Sequence, residues 1–94
     1  MTFEWDEAKS EWTKAERGFN FDYASTVFAD PQRFESQPYE RGGEIRHYTI
    51  GNAALGELLF VVFTWRTYEN EKVARILSAR KAHKTERGRY ARLR

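Results

Sequence analysis

Cysteine is absent from the 94-residue chain, which excludes a disulfide scaffold, a thiolate metal site and a cysteine nucleophile. Histidine occurs twice, as His47 and His83, at a spacing that fits no metal-binding helix signature. No metal site and no cofactor are therefore expected. There is no glycine-rich phosphate loop and no nucleophile-elbow motif. No apolar run reaches the ~18 residues of a membrane helix, and residues 1–12 do not have the layout of a signal peptide. The expectation is one soluble, cytoplasmic domain spanning 1–94, with no membrane partner.

Aromatic residues and a lopsided charge distribution are present instead. Seven Phe, five Tyr and three Trp supply enough bulk for the thin core of a chain this short. The net charge of +2 conceals a polarity. Residues 1–71 carry seven Lys/Arg against thirteen Asp/Glu, a balance of −6; residues 72–94 carry nine against one, a balance of +8. The basic end fits either a polyanion contact or a solvated terminal helix.

Hydrophobic periodicity predicts an α+β fold. Phe3–Trp5 reads as a short edge strand and Asp6 as a helix N-cap. Ala8, Trp12 and Ala15 recur at helical spacing, and Gly18 supplies the stop. Asn20 or Asp22 caps a second helix with Phe21, Ala24, Val27 and Phe28 as its inner face, ended at Asp30-Pro31. Strands follow at 33–37, 44–50, 58–65 and 73–79, with 39–43 and 67–71 as turns and a basic helix over 81–90. The predicted order is β-α-α-β-β-β-β-α: a mainly antiparallel meander, two N-terminal helices on one face, and a basic C-terminal helix. The run Leu58–Trp65 is the candidate central strand.

Arginine carries the candidate chemistry. Alternation places Glu44, Arg46, Tyr48 and Ile50 on one strand face and Ile45, His47 and Thr49 on the other. Thr64 shares a face with Arg66, and Ile76 with Arg80, with Arg75 and Leu77 opposite. Arg46, Arg66 and Arg80 on adjacent strands could converge on one phosphate, since a guanidinium binds phosphate oxygens bidentately and stays charged. Equally, each could snorkel to water. His47 is either a general acid–base group or a half-buried strand residue. Lys9 sits in a first helical turn, against the helix dipole. Tyr48 and Tyr90 could stack on bases, or Tyr90 could anchor the terminal helix.

These residues also resemble a known family. Phe3-Glu4-Trp5-Asp6, Lys9, Gly18, Phe21, Ala24, Val27-Phe28 and Asp30-Pro31 resemble the opening of BrnT-type toxins. Gly43-Glu44, Arg46, Ile50-Gly51, Val61-Val62, Thr64, Arg66, Arg75-Ile76, Ser78-Ala79-Arg80, Ala82, Glu86-Arg87 and Tyr90 resemble its second half, in the same order. The resemblance implies a RelE-like fold and metal-independent RNA cleavage that arrests translation. It also implies a BrnA-like ribbon-helix-helix antitoxin, through which operator DNA is reached. One departure stands out: many relatives carry an Asn-(x)₂-Lys-His-Gly stretch where this chain has Glu16-Arg17-Gly18, so no family histidine maps onto position 17.

The expected catalytic set is Lys9, Glu44, Arg46, Arg66 and Arg80. The arginines hold phosphate, Lys9 neutralises charge or moves a proton, and Glu44 orients an arginine or acts as base. The expected RNA contacts are Tyr48, Arg75, Lys81, His83, Lys84, Arg87 and Tyr90, with 81–94 steering RNA or docking the antitoxin. Trp12, Phe34 and Tyr68 could anchor a partner, although a core or edge contact is the favoured reading of each. The alternative is a non-catalytic RNA- or protein-binding module in which the basic tail binds without chemistry.

Overall fold

The computed structural model describes residues 1–92; Leu93 and Arg94, the end of the expected steering segment, lie outside the described residues. Strand β1 (Thr2–Trp5) leads into helix α1 (Glu7–Arg17), α2 (Phe21–Ser25) and a 3-10 turn over Thr26–Ala29. Five strands follow: β2 (Phe34–Glu35), β3 (Tyr39–Arg41), β4 (Glu44–Asn52), β5 (Leu58–Tyr68) and β6 (Glu71–Lys81). Helix α3 (Lys84–Ala91) comes last. The sheet order is β1-β6-β5-β4-β2, with β3 paired to β4 at its side. The chain is thus α+β, and β5 is central as expected.

Caps and turns follow from local chemistry. The Asp6 carboxylate accepts from the amides of Ala8 and Lys9, and Gly18 closes α1 with a φ of 87°. Asn20 caps α2 by accepting from the amide of Tyr23. Glu69 and Asn70 both take positive φ in the two-residue β5–β6 connection, a conformation that matches strand twist.

The inner sheet face buries Phe21, Val27, Phe28, Leu59, Val61, Phe63, Ala74, Ile76 and Ala79 under α2 and the 3-10 turn. Phe28 meets Phe3 and Phe63 with ring centres 5.0 Å from each. The opposite face is covered at one end by α3, where Tyr90 and Ala82 pack on Ile50 beside Phe34, Tyr48, Leu58 and Phe60.

Five expectations are corrected. First, β1 pairs with β6 in parallel, so the sheet is not a simple meander. Second, Tyr39–Arg41 is a strand; the turn is Gly42-Gly43 alone, both at positive φ. Third, the buried side of α1 is not the Ala8–Trp12–Ala15 stripe but Ser10 and Thr13, while Trp12 is 54% exposed. Their hydroxyls satisfy backbone groups: Ser10 Oγ accepts from the amide of Phe21 at 2.9 Å, and Thr13 Oγ1 donates to the carbonyl of Lys9 at 2.8 Å. Fourth, Leu77 is an extra residue in β6, since Ser78 faces Val62 while Ile76 faces Phe63. That bulge reverses the alternation, so Arg80 lies opposite Phe60, away from the face of Ile76. Fifth, the last helix begins at Lys84; Lys81 still belongs to β6.

Candidate functional site

β4 and β5 separate at one end. Their ladder runs from Asn52↔Leu58 to His47↔Phe63 and stops there. Beyond it, Glu44–Arg46 pairs with β3, while Thr64–Arg66 pairs with β6. The two strands fork, and the hydroxyl of Thr64 bridges the gap by donating to the carbonyl of Ile45 at 2.7 Å. The resulting open groove is lined by Glu44, His47, Thr64, Trp65 and Arg66. Glu44 stands between two guanidiniums, accepting from Arg46 Nε at 3.1 Å and from Arg66 Nη2 at 3.3 Å. The His47 ring stacks on Phe63 at 5.4 Å, which fixes one wall of the fork.

The structure therefore brings together Glu44, Arg46 and Arg66 of the expected catalytic set. It does not bring Arg80 to them. Arg80 lies opposite Phe60, six residues along β5 from Arg66, or roughly 20 Å. Its guanidinium covers the Phe60 ring at 4.2 Å and donates twice to Glu86, at 2.7 Å each. Those two bonds hold the Glu86 carboxyl below its ordinary pKa, although burial opposes them. Arg80 thus fastens α3 to the sheet. Lys9 lies on exposed α1, beside Trp12 and Leu77, and is absent from the fork.

The expected RNA contacts divide in the same way. Lys81, His83, Lys84 and Arg87 are exposed at the end of β6 and along α3. Tyr90 is buried, donates to Asp30 Oδ2 and accepts from Asn52, so it anchors α3 and presents no face to a base. Tyr48 is half-buried between Phe60, Phe34 and Tyr39, with Arg89 donating to its hydroxyl. Arg75 is committed to Glu4 at 2.6 Å, a bond that lowers the Glu4 pKa. Glu4 also accepts from Tyr68 and raises the pKa of that phenol.

Sequence reasoning missed the carboxylate partners, because Glu4 and Arg75 stand 71 residues apart. It also missed Trp65 and Arg89. The signal for Trp65 was its place one residue before Arg66 at the end of the apolar run.

Residues 5–86 match the family model described as the ribonuclease toxin, BrnT, of type II toxin–antitoxin systems. The chain belongs to the BrnT family. Among solved structures it is similar to the Brucella abortus ribonuclease toxin BrnT, with a TM-score of 0.58 and 20% sequence identity. That similarity covers 89% of this chain and 99% of the Brucella chain, and at this identity it speaks for the fold. No curated protein sequence matches the chain. BrnT membership carries ribonuclease activity, an RNA substrate and an antitoxin partner in outline. Among the described residues no group of His, Cys, Asp and Glu could hold a metal ion, and no helix is long and apolar enough to cross a membrane.

Proposed function

We propose that this BrnT-family chain, a RelE-like toxin, cleaves RNA without a metal ion and so arrests translation. In this reading a BrnA-like ribbon-helix-helix antitoxin neutralises it and carries the pair to operator DNA. The observation behind the reading is the β4–β5 fork, where Glu44 and Arg66 line an open groove and the Glu44 carboxylate accepts from both Arg46 and Arg66.

A phosphate entering the fork replaces the Glu44 carboxylate as the acceptor for Arg46 and Arg66. Guanidiniums suit both partners, because carboxylate and phosphate offer the same bidentate geometry. Glu44, released beside the bound strand, takes the proton of a ribose 2′-hydroxyl. The 2′-oxygen then bonds to phosphorus as the bond to the 5′-oxygen breaks. The leaving 5′-oxygen takes its proton from solvent in the open groove, because His47 lies on the other face of β4, stacked on Phe63. The two arginines stabilise the charge that grows on the non-bridging oxygens.

Arg66→Ala and Arg46→Ala test this assignment. Each removes one donor to the developing charge and should cut the cleavage rate by ~10²–10³ while the chain stays folded. Cleavage at the parent rate by both variants would overturn the fork as the reaction site. A shift of intact RNA in a gel, with no cleavage by the parent chain, would instead favour a binding module.

A further inference from the structure

A second groove lies at the opposite edge of the sheet. β1 covers β6 only as far as the pair Trp5↔Ile76, and beyond it the edge of β6 faces α1. Lys9, Trp12 and Arg17 line one half of this groove against Leu77 and Ser78. Arg17 also lines the other half, with Arg80, Lys81 and His83. No carboxylate lines either half, although Arg80 is paired with Glu86 and Lys81 Nζ lies 3.7 Å from the Glu57 carboxylate, which a phosphate contact would replace. Among the described residues Lys9 and Arg17 form no ion pair. Trp12 is 54% exposed, and the Arg17 guanidinium sits 5.1 Å from its ring centre. An exposed indole under a guanidinium is a stacking platform for a flat ring, flanked here by cations.

We propose that this α1–β6 groove binds single-stranded RNA outside the cleavage site. Trp12 stacks on one base, while Lys9, Arg17 and Lys81 contact its flanking phosphates. The inference rests on the proposed RNA substrate and adds a subsite, with Trp12 and Arg17 as its new residues. An acidic peptide strand is the competing occupant, and two features of the β6 edge oppose it. The bulge at Leu77 breaks the regular ladder a new strand would need. Arg17 Nη1 already donates to the edge carbonyl of Ala79 at 2.8 Å. Main-chain pairing is therefore obstructed, whereas stacking and phosphate contacts are open.

The experiment measures binding of a 2′-deoxy oligonucleotide on the order of ten nucleotides, which the chain cannot cleave by 2′-hydroxyl attack. Trp12→Ala should weaken binding about 5- to 150-fold, the worth of one stacked base, and Trp12→Phe should recover most of that loss. Arg17→Gln and Lys81→Gln should each lower the slope of log affinity against log salt by about 0.7. Unchanged affinity in Trp12→Ala, with unchanged slopes in the charge variants, overturns the proposal. So does a glutamate-rich peptide whose binding is lost in Trp12→Ala while oligonucleotide binding is kept. Because binding is read on an uncleavable strand, failure of the fork as the cleavage site leaves these affinities untouched. Failure of the groove leaves the fork's cleavage assay untouched.

Discussion

Glu86→Gln is the change that most sharply separates a clamp from a catalytic arginine. The parent carboxylate accepts two bonds from Arg80 and one from the amide of His83, all at 2.7 Å, and its side chain is 12% exposed. Glutamine keeps one acceptor oxygen and loses the charge. Hydrogen bonds to charged groups contribute about 1.5–3 kcal/mol. Arg80 keeps 28% of its side-chain surface, so solvent relieves part of its loss, and about 2 kcal/mol is the expected cost. For a domain of this size that corresponds to a fall of roughly 8–16 °C in Tm.

The acid limb supplies a second readout. The Glu86 pKa is lowered in the folded chain from an ordinary 4.5. Its contribution is therefore complete above that value and is lost as pH falls through the lower folded pKa. Thermal unfolding between pH 7 and pH 3 should show the parent losing stability below about pH 4.5, and Glu86→Gln following a flatter curve. A variant within 2 °C of the parent at pH 7, with the same acid limb, would refute the clamp and return Arg80 to the pool of free phosphate ligands.

Other consequences of the fold are equally open to measurement. Ser10→Ala leaves the buried amide of Phe21 without its acceptor and should cost about 1–3 kcal/mol in urea unfolding, against near-neutrality if water replaces the hydroxyl. Gly51→Ala should destabilise by about 1–3 kcal/mol, because a methyl there would meet Val27 Cγ1 at 2.9 Å and Arg33 Cβ at 3.1 Å; an unchanged unfolding midpoint would mean that the 3-10 turn yields freely. Asp6→Ala removes the α1 cap and should cost ~1 kcal/mol, with Asp6→Ser recovering most of it in the same assay.

Elements dictated by short-range chemistry were readable in the sequence. The Asp6 cap, the Gly18 stop and the unbroken apolar run of β5 each declare themselves within a few residues, and all appear in the fold. The α1 face misled because the helix is seated by two hydroxyls bonded to backbone, a feature invisible to apolar periodicity. The face of Arg80 misled because one extra residue, Leu77, reverses every position after it. β3 was hidden by its turn: Gly42 and Gly43 close a hairpin so tight that the strand before them reads as part of the loop.

The candidate site divides along the same line. Glu44 and Arg46 were legible together because they share one strand face, and Arg66 was legible as a strand-end cation. The meeting of Arg66 with Glu44 follows from the β4–β5 register, which, extended past His47↔Phe63, sets Glu44 opposite Arg66, and no local pattern announces that register. Arg75 and Arg80 read as phosphate ligands only until their carboxylate partners, remote in one case and on the next helix in the other, were in view. Of the expected RNA contacts in the basic C-terminal end, Lys81, His83, Lys84 and Arg87 stay exposed.

The central claim is 2′-hydroxyl attack without a metal, and the ends of the RNA fragments report on it most directly. The purified chain, mixed with end-labelled RNA in EDTA, should yield fragments bearing a 2′,3′-cyclic phosphate and a free 5′-hydroxyl. Cleavage that stops in EDTA, or fragments carrying a 5′-phosphate, would contradict the mechanism built on Glu44, Arg46 and Arg66.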